Sequence, residues 1–82
     1  MASYKLIRKT KYFALSEIKS GHHIAYNIRI VGYGLYAITQ EKLKTIQDHF
    51  LNKSCTNTDK SWHFKTISDA ESMLNWAVLS WE

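Results

Sequence analysis

The sequence predicts a small two-layer α+β domain: an antiparallel sheet of about four strands with two helices packed on one face. Apolar residues alternate with period two in some segments and recur every three to four residues in others, as strands and helices require. Glycine and polar residues separate these segments. The predicted element order is β-β-β-α-β-α, which suits a layered domain whose sheet has one solvent-facing side.

The most regular strand is predicted at residues 22–31, where Ile24, Tyr26, Ile28 and Ile30 share one face. Residues 11–18 are predicted as its hairpin partner, because Lys19, Ser20 and Gly21 favour a turn. A short helix over residues 10–20, ended by Gly21, is the alternative. Residues 4–8 either begin the same strand or form a separate edge strand.

The middle of the chain is predicted to form a short strand, a helix and another strand. Gly32 and Gly34 break the preceding pattern, and Leu35 to Ile38 is interpreted as a short strand. Thr39 is predicted to cap a helix that runs to about Asn52. Its inner stripe carries Leu43, Ile46 and Phe50. Residues 52–61 form a polar loop, and residues 62–67 alternate as a strand.

The C-terminal helix is the least conventional element. Ser68 and Glu71 match a capping box, in which each side chain accepts a hydrogen bond from the other residue's backbone N–H. One stripe of the helix is apolar and carries Ala70, Met73, Leu74, Ala77, Val78 and Trp81. The opposite side has no charge and carries Ser72, Asn75, Trp76 and Leu79. An uncharged outer face with Trp and Leu predicts a second buried contact, either with a partner or, for Trp76, with the hairpin or a second copy of this chain.

Length and composition indicate one globular domain over residues 1–82. The hydrophobic fraction of 45% is sufficient for a packed core. The single cysteine, Cys55, cannot form an internal disulfide, and the N-terminal residues do not form the apolar block of a signal peptide or membrane span. We therefore expect a cytoplasmic protein without a membrane anchor.

Positive charge is concentrated in the first 30 residues, which contain six Lys or Arg residues and one acidic residue, Glu17. Their net charge is +5. Residues 31–82 have a net charge of −1. Clustered cations attract anions, so an acidic or nucleic-acid partner is predicted for the N-terminal half. The candidate contacts are Lys5, Arg8, Lys9, Lys11, His23, Asn27 and Arg29. These basic residues are interleaved with tyrosines that could stack on bases, namely Tyr4, Tyr12, Tyr33 and Tyr36.

The sequence favours binding over catalysis. His22 and His23 point to opposite faces of a strand and cannot chelate one metal ion, and no Gly-rich phosphate loop is present. Cys55 is a free thiol that nothing in the sequence pairs with a base. We therefore predict no catalytic residue, metal or cofactor. A metal-free ribonuclease that uses His23 and Arg29 is a third hypothesis.

The leading hypothesis is a small non-enzymatic protein that docks on a larger protein or ribonucleoprotein, with Trp76 and Leu79 as apolar anchors beside Ser72 and Asn75. DNA or RNA binding through a basic sheet face is the alternative, and homodimerisation is also open. In size and proline-free build the chain resembles the accessory proteins of phages and mobile elements, including anti-CRISPR inhibitors of host defence, although no motif assigns it to a family.

Overall fold

A computed structural model describes residues 2–50, 56–58 and 61–81 of the chain. The strands are β1 (Ala2–Lys9), β2 (Phe13–Ser20), β3 (His23–Ile30), β4 (Thr56–Thr58) and β5 (Ser61–Phe64). The helices are α1 (Gly34–Ala37), α2 (Gln40–Phe50) and α3 (Ile67–Trp81). The predicted α+β fold is confirmed.

The strands form one antiparallel sheet in the order β1-β2-β3-β5-β4. Four of them build most of the sheet, and the three-residue β4 extends one edge. Residues 13–20 form a strand, so the alternative of a short helix over residues 10–20 is wrong. Residues 2–9 form a separate edge strand, the second of the two arrangements considered for residues 4–8.

The register places alternate residues of the central strands on one buried face. Phe13 pairs with Ile30 and Leu15 with Ile28. On the other side of β3, Trp62 pairs with Ile28. Because paired residues of antiparallel strands share a face, these side chains form one apolar layer. The buried members of this layer are Phe13, Leu15, Ile28, Ile30, Trp62 and Phe64.

The helices α2 and α3 both cover that layer. The buried stripe of α3 consists of Ala70, Met73, Leu74 and Ala77, as predicted. From α2, Leu43 and Ile46 join the same core cluster. The start of α2 lies near the end of α3, with Lys42 Nζ 5.9 Å from the ring centroid of Trp81. Further along α2, His49 stacks on Trp76, so the two helices are antiparallel neighbours.

The predicted short strand over Leu35 to Ile38 is wrong. Backbone N–H groups of Ala37 and Ile38 donate to the carbonyls of Tyr33 and Gly34, which closes the helical turn α1. Gly32 precedes it with a φ of 56°, which turns the chain out of β3. Four apolar residues are too few to show whether their period is that of a strand or a helix.

The N-cap of α3 is also corrected. The helix begins at Ile67, and the Asp69 N–H donates to Thr66 Oγ1 at 3.3 Å. Thr66 is therefore the capping residue, while Ser68 lies inside the first turn. For α2 the predicted cap is confirmed, since the Lys42 N–H donates to Thr39 Oγ1 at 3.4 Å.

Cys55 lies outside the described residues, as does much of the predicted loop over residues 52–61. Within that loop, residues 56–58 form β4 and Ser61 begins β5. Across the described part of the chain, no helix combines the length and the apolar character that crossing a bilayer requires.

Candidate nucleic-acid interface

The side of the sheet opposite the helices is the first candidate surface, called the open face below. Its residues alternate with the core residues along each strand. They are Tyr4, Leu6 and Lys9 of β1, Ala14, Ser16 and Ile18 of β2, His23, Ala25, Asn27 and Arg29 of β3, and Ser61 and His63 of β5.

The open face has no acidic side chain in the strands that the structure describes. Glu17 is the one acid in those strands. It pairs in register with Tyr26, on the helix side, and its carboxylate lies 3.5 Å from Lys19 Nζ. Positive charge on the open face is therefore not neutralised within the sheet.

Two cations flank a small residue in one row of the open face. Lys9 pairs with Ala14, and Ala14 pairs with Arg29. Two strand spacings put the Cα atoms of Lys9 and Arg29 about 10 Å apart. Both cations are exposed, whereas Ala14 and the next small residue along β2, Ser16, are buried. Ala14 is only 2% exposed and Ser16 only 8%, so the surface that solvent reaches in this row belongs to the two cations.

Three tyrosines form a cluster at the same end of the sheet, called the tyrosine end below: Tyr12, Tyr33 and Tyr36. The ring centroid of Tyr33 lies 6.4 Å from that of Tyr12 and 6.0 Å from that of Tyr36. A backbone hydrogen bond of 2.8 Å from Val31 N–H to the Tyr12 carbonyl joins the two turns that carry these residues. Tyr12 precedes β2, and Tyr33 and Tyr36 lie after β3, so the cluster lies at the end of the sheet that carries the cation row. Tyr12 packs against the core, and a Cβ at Gly34 would lie 3.0 Å from Ile30 Cγ2, so the cluster lies towards the helix side of that end.

Exposure within the tyrosine end increases towards Tyr36. Tyr12 is half-buried and packs against the core, whereas Tyr33 and Tyr36 are 66% and 80% exposed. Lys11 Nζ lies 5.5 Å from the ring centroid of Tyr12. The cluster thus combines a ring anchored in the core with two rings that solvent reaches, and a cation lies beside it.

The predicted N-terminal cations do not share one surface. A register shift between Leu6 and Arg8 marks a bulge in β1. Lys5 and Arg8 lie on the helix side, where Arg8 Nη1 donates to Asn75 Oδ1 of α3 at 2.9 Å. Lys9 lies on the open face. Arg8, one of the predicted contacts, therefore binds α3 and is not part of the open face.

The remaining predicted contacts on β3 are separated. Asn27 is partly buried, and its Nδ2 donates to the Trp62 carbonyl at 3.4 Å and lies 3.3 Å from His63 Nε2. His23 and Arg29 share the open face but are six residues apart, which is about 20 Å along an extended strand. They cannot act on one phosphodiester, so the ribonuclease hypothesis loses its proposed pair. Within the described residues, no three His, Cys, Asp or Glu side chains could together hold a metal ion.

The outer side of α3 is the second candidate surface. Leu79 is 88% exposed, and Ser72 and Asn75 are also exposed. Trp76 is different, because its ring stacks on His49 at a centroid distance of 4.4 Å and an interplanar angle of 6°. It also makes an edge contact with Trp81 at 5.2 Å. Trp76 therefore packs against α2 and not against the hairpin, whereas Leu79 of the same face remains exposed.

Sequence reasoning missed part of the open face. The position of His63 follows from its alternation with Trp62 and Phe64, which the sequence does show. The positions of Arg8 and Lys9 depend on the β1 bulge, which leaves no clear signal in the sequence. The three tyrosines come together because the turns that carry them meet at one end of the sheet, and the sequence does not show which turns meet.

Comparison with known proteins gives no functional assignment. No family profile, no characterised protein and no solved structure matches this chain. The candidate surfaces are therefore judged on their own geometry and charge.

Proposed function

We propose that this protein is a non-enzymatic nucleic-acid-binding protein that uses the open face and the tyrosine end. The observation that carries the proposal is the charge of the open face: Lys9 and Arg29 are exposed there, and the described strands place no acid beside them. Phosphates supply most of the affinity in such complexes, and cations without acidic neighbours bind them best.

The surface also offers contacts that do not depend on charge. Exposed tyrosine rings beside the cations offer apolar area to bases. A cytoplasmic location, where nucleic acid is accessible and a lone cysteine stays reduced, fits this function.

Fluorescence anisotropy with labelled oligonucleotides tests the proposal at several salt concentrations. Affinity should fall steeply between about 50 and about 200 mM salt, because binding releases counterions from phosphates. Lys9→Ala and Arg29→Ala should each weaken binding and reduce the slope of log K against log salt. Lys44→Ala is the matched control, since Lys44 is exposed on α2, on the other side of the sheet.

Two results would contradict the proposal. The first is that neither DNA nor RNA is bound at low salt. The second is that Lys44→Ala weakens binding as much as Lys9→Ala and Arg29→Ala, since a ligand attracted only by the total charge would not distinguish the two sides of the sheet.

Docking on a larger protein or ribonucleoprotein through the outer side of α3 is a second candidate function. The observation that favours it is the 88% exposure of Leu79 next to polar, uncharged Ser72 and Asn75. Trp76 is less available as an apolar anchor than the sequence predicted, because its ring stacks on His49. Leu79→Ser should abolish capture of the partner from a host lysate, or self-association in sedimentation, while the melting temperature stays unchanged. Equal capture by the wild-type protein and the Leu79→Ser variant would remove this candidate.

A further inference from the structure

We infer that the tyrosine end binds unpaired bases, so that the ligand is single-stranded nucleic acid and not a duplex. This inference rests on the proposed function and narrows the ligand of the same surface. It follows from the exposure of Tyr33 and Tyr36, from the angle between their rings, and from their position beside the cation row.

Stacking on a base requires an exposed ring face and an uncovered base. Tyr33 and Tyr36 meet the first requirement, with 66% and 80% of their surfaces exposed. Inside a duplex, each base is covered on both faces by its neighbours and paired at its edge. Only unpaired bases can therefore lie on these rings.

The arrangement of the rings also opposes a regular helix. The ring planes of Tyr33 and Tyr36 are tilted by 44° relative to each other, and the ring centroids are 6.0 Å apart. Successive bases of a stacked helix are nearly parallel and closer together, so adjacent stacked bases could not each lie flat on one of these rings. A flexible single strand can turn its bases individually to match them.

Tyr12 and Gly34 fix the position of this pair. The Tyr12 ring packs partly against the core and lies 6.4 Å from Tyr33. A Cβ at Gly34 would lie 2.7 Å from the Tyr12 carbonyl oxygen, so only glycine lets α1 approach Tyr12 this closely. The backbone of α1 is thus held against Tyr12 before a ligand arrives, which lowers the entropic cost of binding.

The cations supply a path for the backbone. Lys9 and Arg29 are on the open face next to the tyrosine end, and Lys11 lies beside Tyr12. A strand whose phosphates lie on Lys9 and Arg29 brings its bases to Tyr33 and Tyr36 by passing round this end of the sheet. Charge complementarity therefore identifies a polyanion as the occupant of this surface, and the exposed rings identify its bases as unpaired.

The experiment compares a labelled single-stranded oligonucleotide with the fully paired duplex of the same sequence, which has no unpaired loop, by anisotropy. We expect the single strand to bind at least about tenfold more tightly. Tyr36→Ala should weaken single-strand binding by about fivefold or more, since stacking on one ring contributes about that factor, and Tyr33→Ala should act similarly. Tyr36→Phe keeps the ring and should restore affinity to within about twofold of the wild-type value.

The salt dependence separates stacking from charge. Tyr36→Ala should leave the slope of log K against log salt unchanged, whereas Arg29→Ala should reduce it by about 0.7, the value for one phosphate contact on a single strand. Leu79→Ala, an exposed apolar residue on the helix side, is the control and should change neither affinity nor slope. Circular dichroism confirms that each variant is folded.

The failure of this inference is distinct from the failure of the proposed function. If the duplex binds as tightly as the single strand, or if both tyrosine substitutions leave affinity unchanged while Arg29→Ala weakens it, nucleic-acid binding stands and the base-stacking inference is overturned. If no nucleic acid binds at low salt, both are overturned.

Discussion

Gly34 has less free space around it than Gly21 or Gly32. A Cβ there would lie 2.7 Å from the Tyr12 carbonyl oxygen and 3.0 Å from Ile30 Cγ2. These neighbours belong to the backbone and the core, so neither can move cheaply. Although alanine has the higher helix propensity, the close contact decides the outcome.

Gly34→Ala should therefore destabilise the protein by about 1–3 kcal/mol in urea unfolding, the usual cost of overpacking. Gly21→Asn is the control: Gly21 has a φ of 62° with no atom within 4 Å of an added Cβ, and asparagine tolerates this backbone conformation. A Gly34→Ala variant as stable as the wild-type protein would show that α1 does not press on Tyr12.

Two hydroxyl residues near the start of α3 give a matched pair for the cap assignment. Thr66 Oγ1 accepts from the Asp69 N–H, whereas Ser68 lies within the helix. Thr66→Ala should cost about 1 kcal/mol of unfolding free energy, and Ser68→Ala should cost much less, because only the first removes a capping bond. The opposite order in denaturant titrations would restore Ser68 as the cap.

At the scale of elements, the contact between α2 and α3 decides the role of Trp76. Its ring is half-buried, stacks on His49 and meets the edge of Trp81. A stabilising aromatic contact between two helices predicts that Trp76 and His49 are energetically coupled.

A double-mutant cycle with Trp76→Ala and His49→Ala measures this coupling. We expect Trp76→Ala alone to lower stability and the cycle to give a coupling energy of about 0.5–1.5 kcal/mol. Leu79→Ala, on the same helix but exposed, should leave stability nearly unchanged. Additive effects of the two substitutions would mean that the stack contributes nothing and that Trp76 is available to a partner.

Elements with a long, regular pattern were predictable from sequence. The alternation in residues 22–31 and the stripe Ala70, Met73, Leu74 and Ala77 gave the central strand and the buried side of α3. The segment Leu35 to Ile38 was not predictable, because its conformation depends on Gly34 packing against Tyr12, a contact distant in sequence.

The candidate site was predictable only in its composition. Lys9, Arg29 and the tyrosines could be named from charge and residue type. Which of them meet depends on strand register: the β1 bulge assigns Lys9 to the open face and Arg8 to the helix side. The partner of Trp76 could not be named either, since sequence periodicity shows that a helix face is apolar but not which element covers it.

On the scale of the whole molecule, the sheet separates two surfaces of different chemistry. The open face carries Lys9 and Arg29 with no acid in the described strands, and the tyrosine end adjoins it. The helix side holds the core and, on the outside of α3, the exposed Leu79. A ligand that contacts one surface therefore leaves the other free.

Backbone amide NMR during titration with a single-stranded oligonucleotide tests the central claim most directly. Chemical-shift changes should concentrate at Lys9, Arg29, Tyr33 and Tyr36 and should be absent from Ser72 and Leu79. Changes confined to α3, or no change at low salt with any nucleic acid, would contradict it.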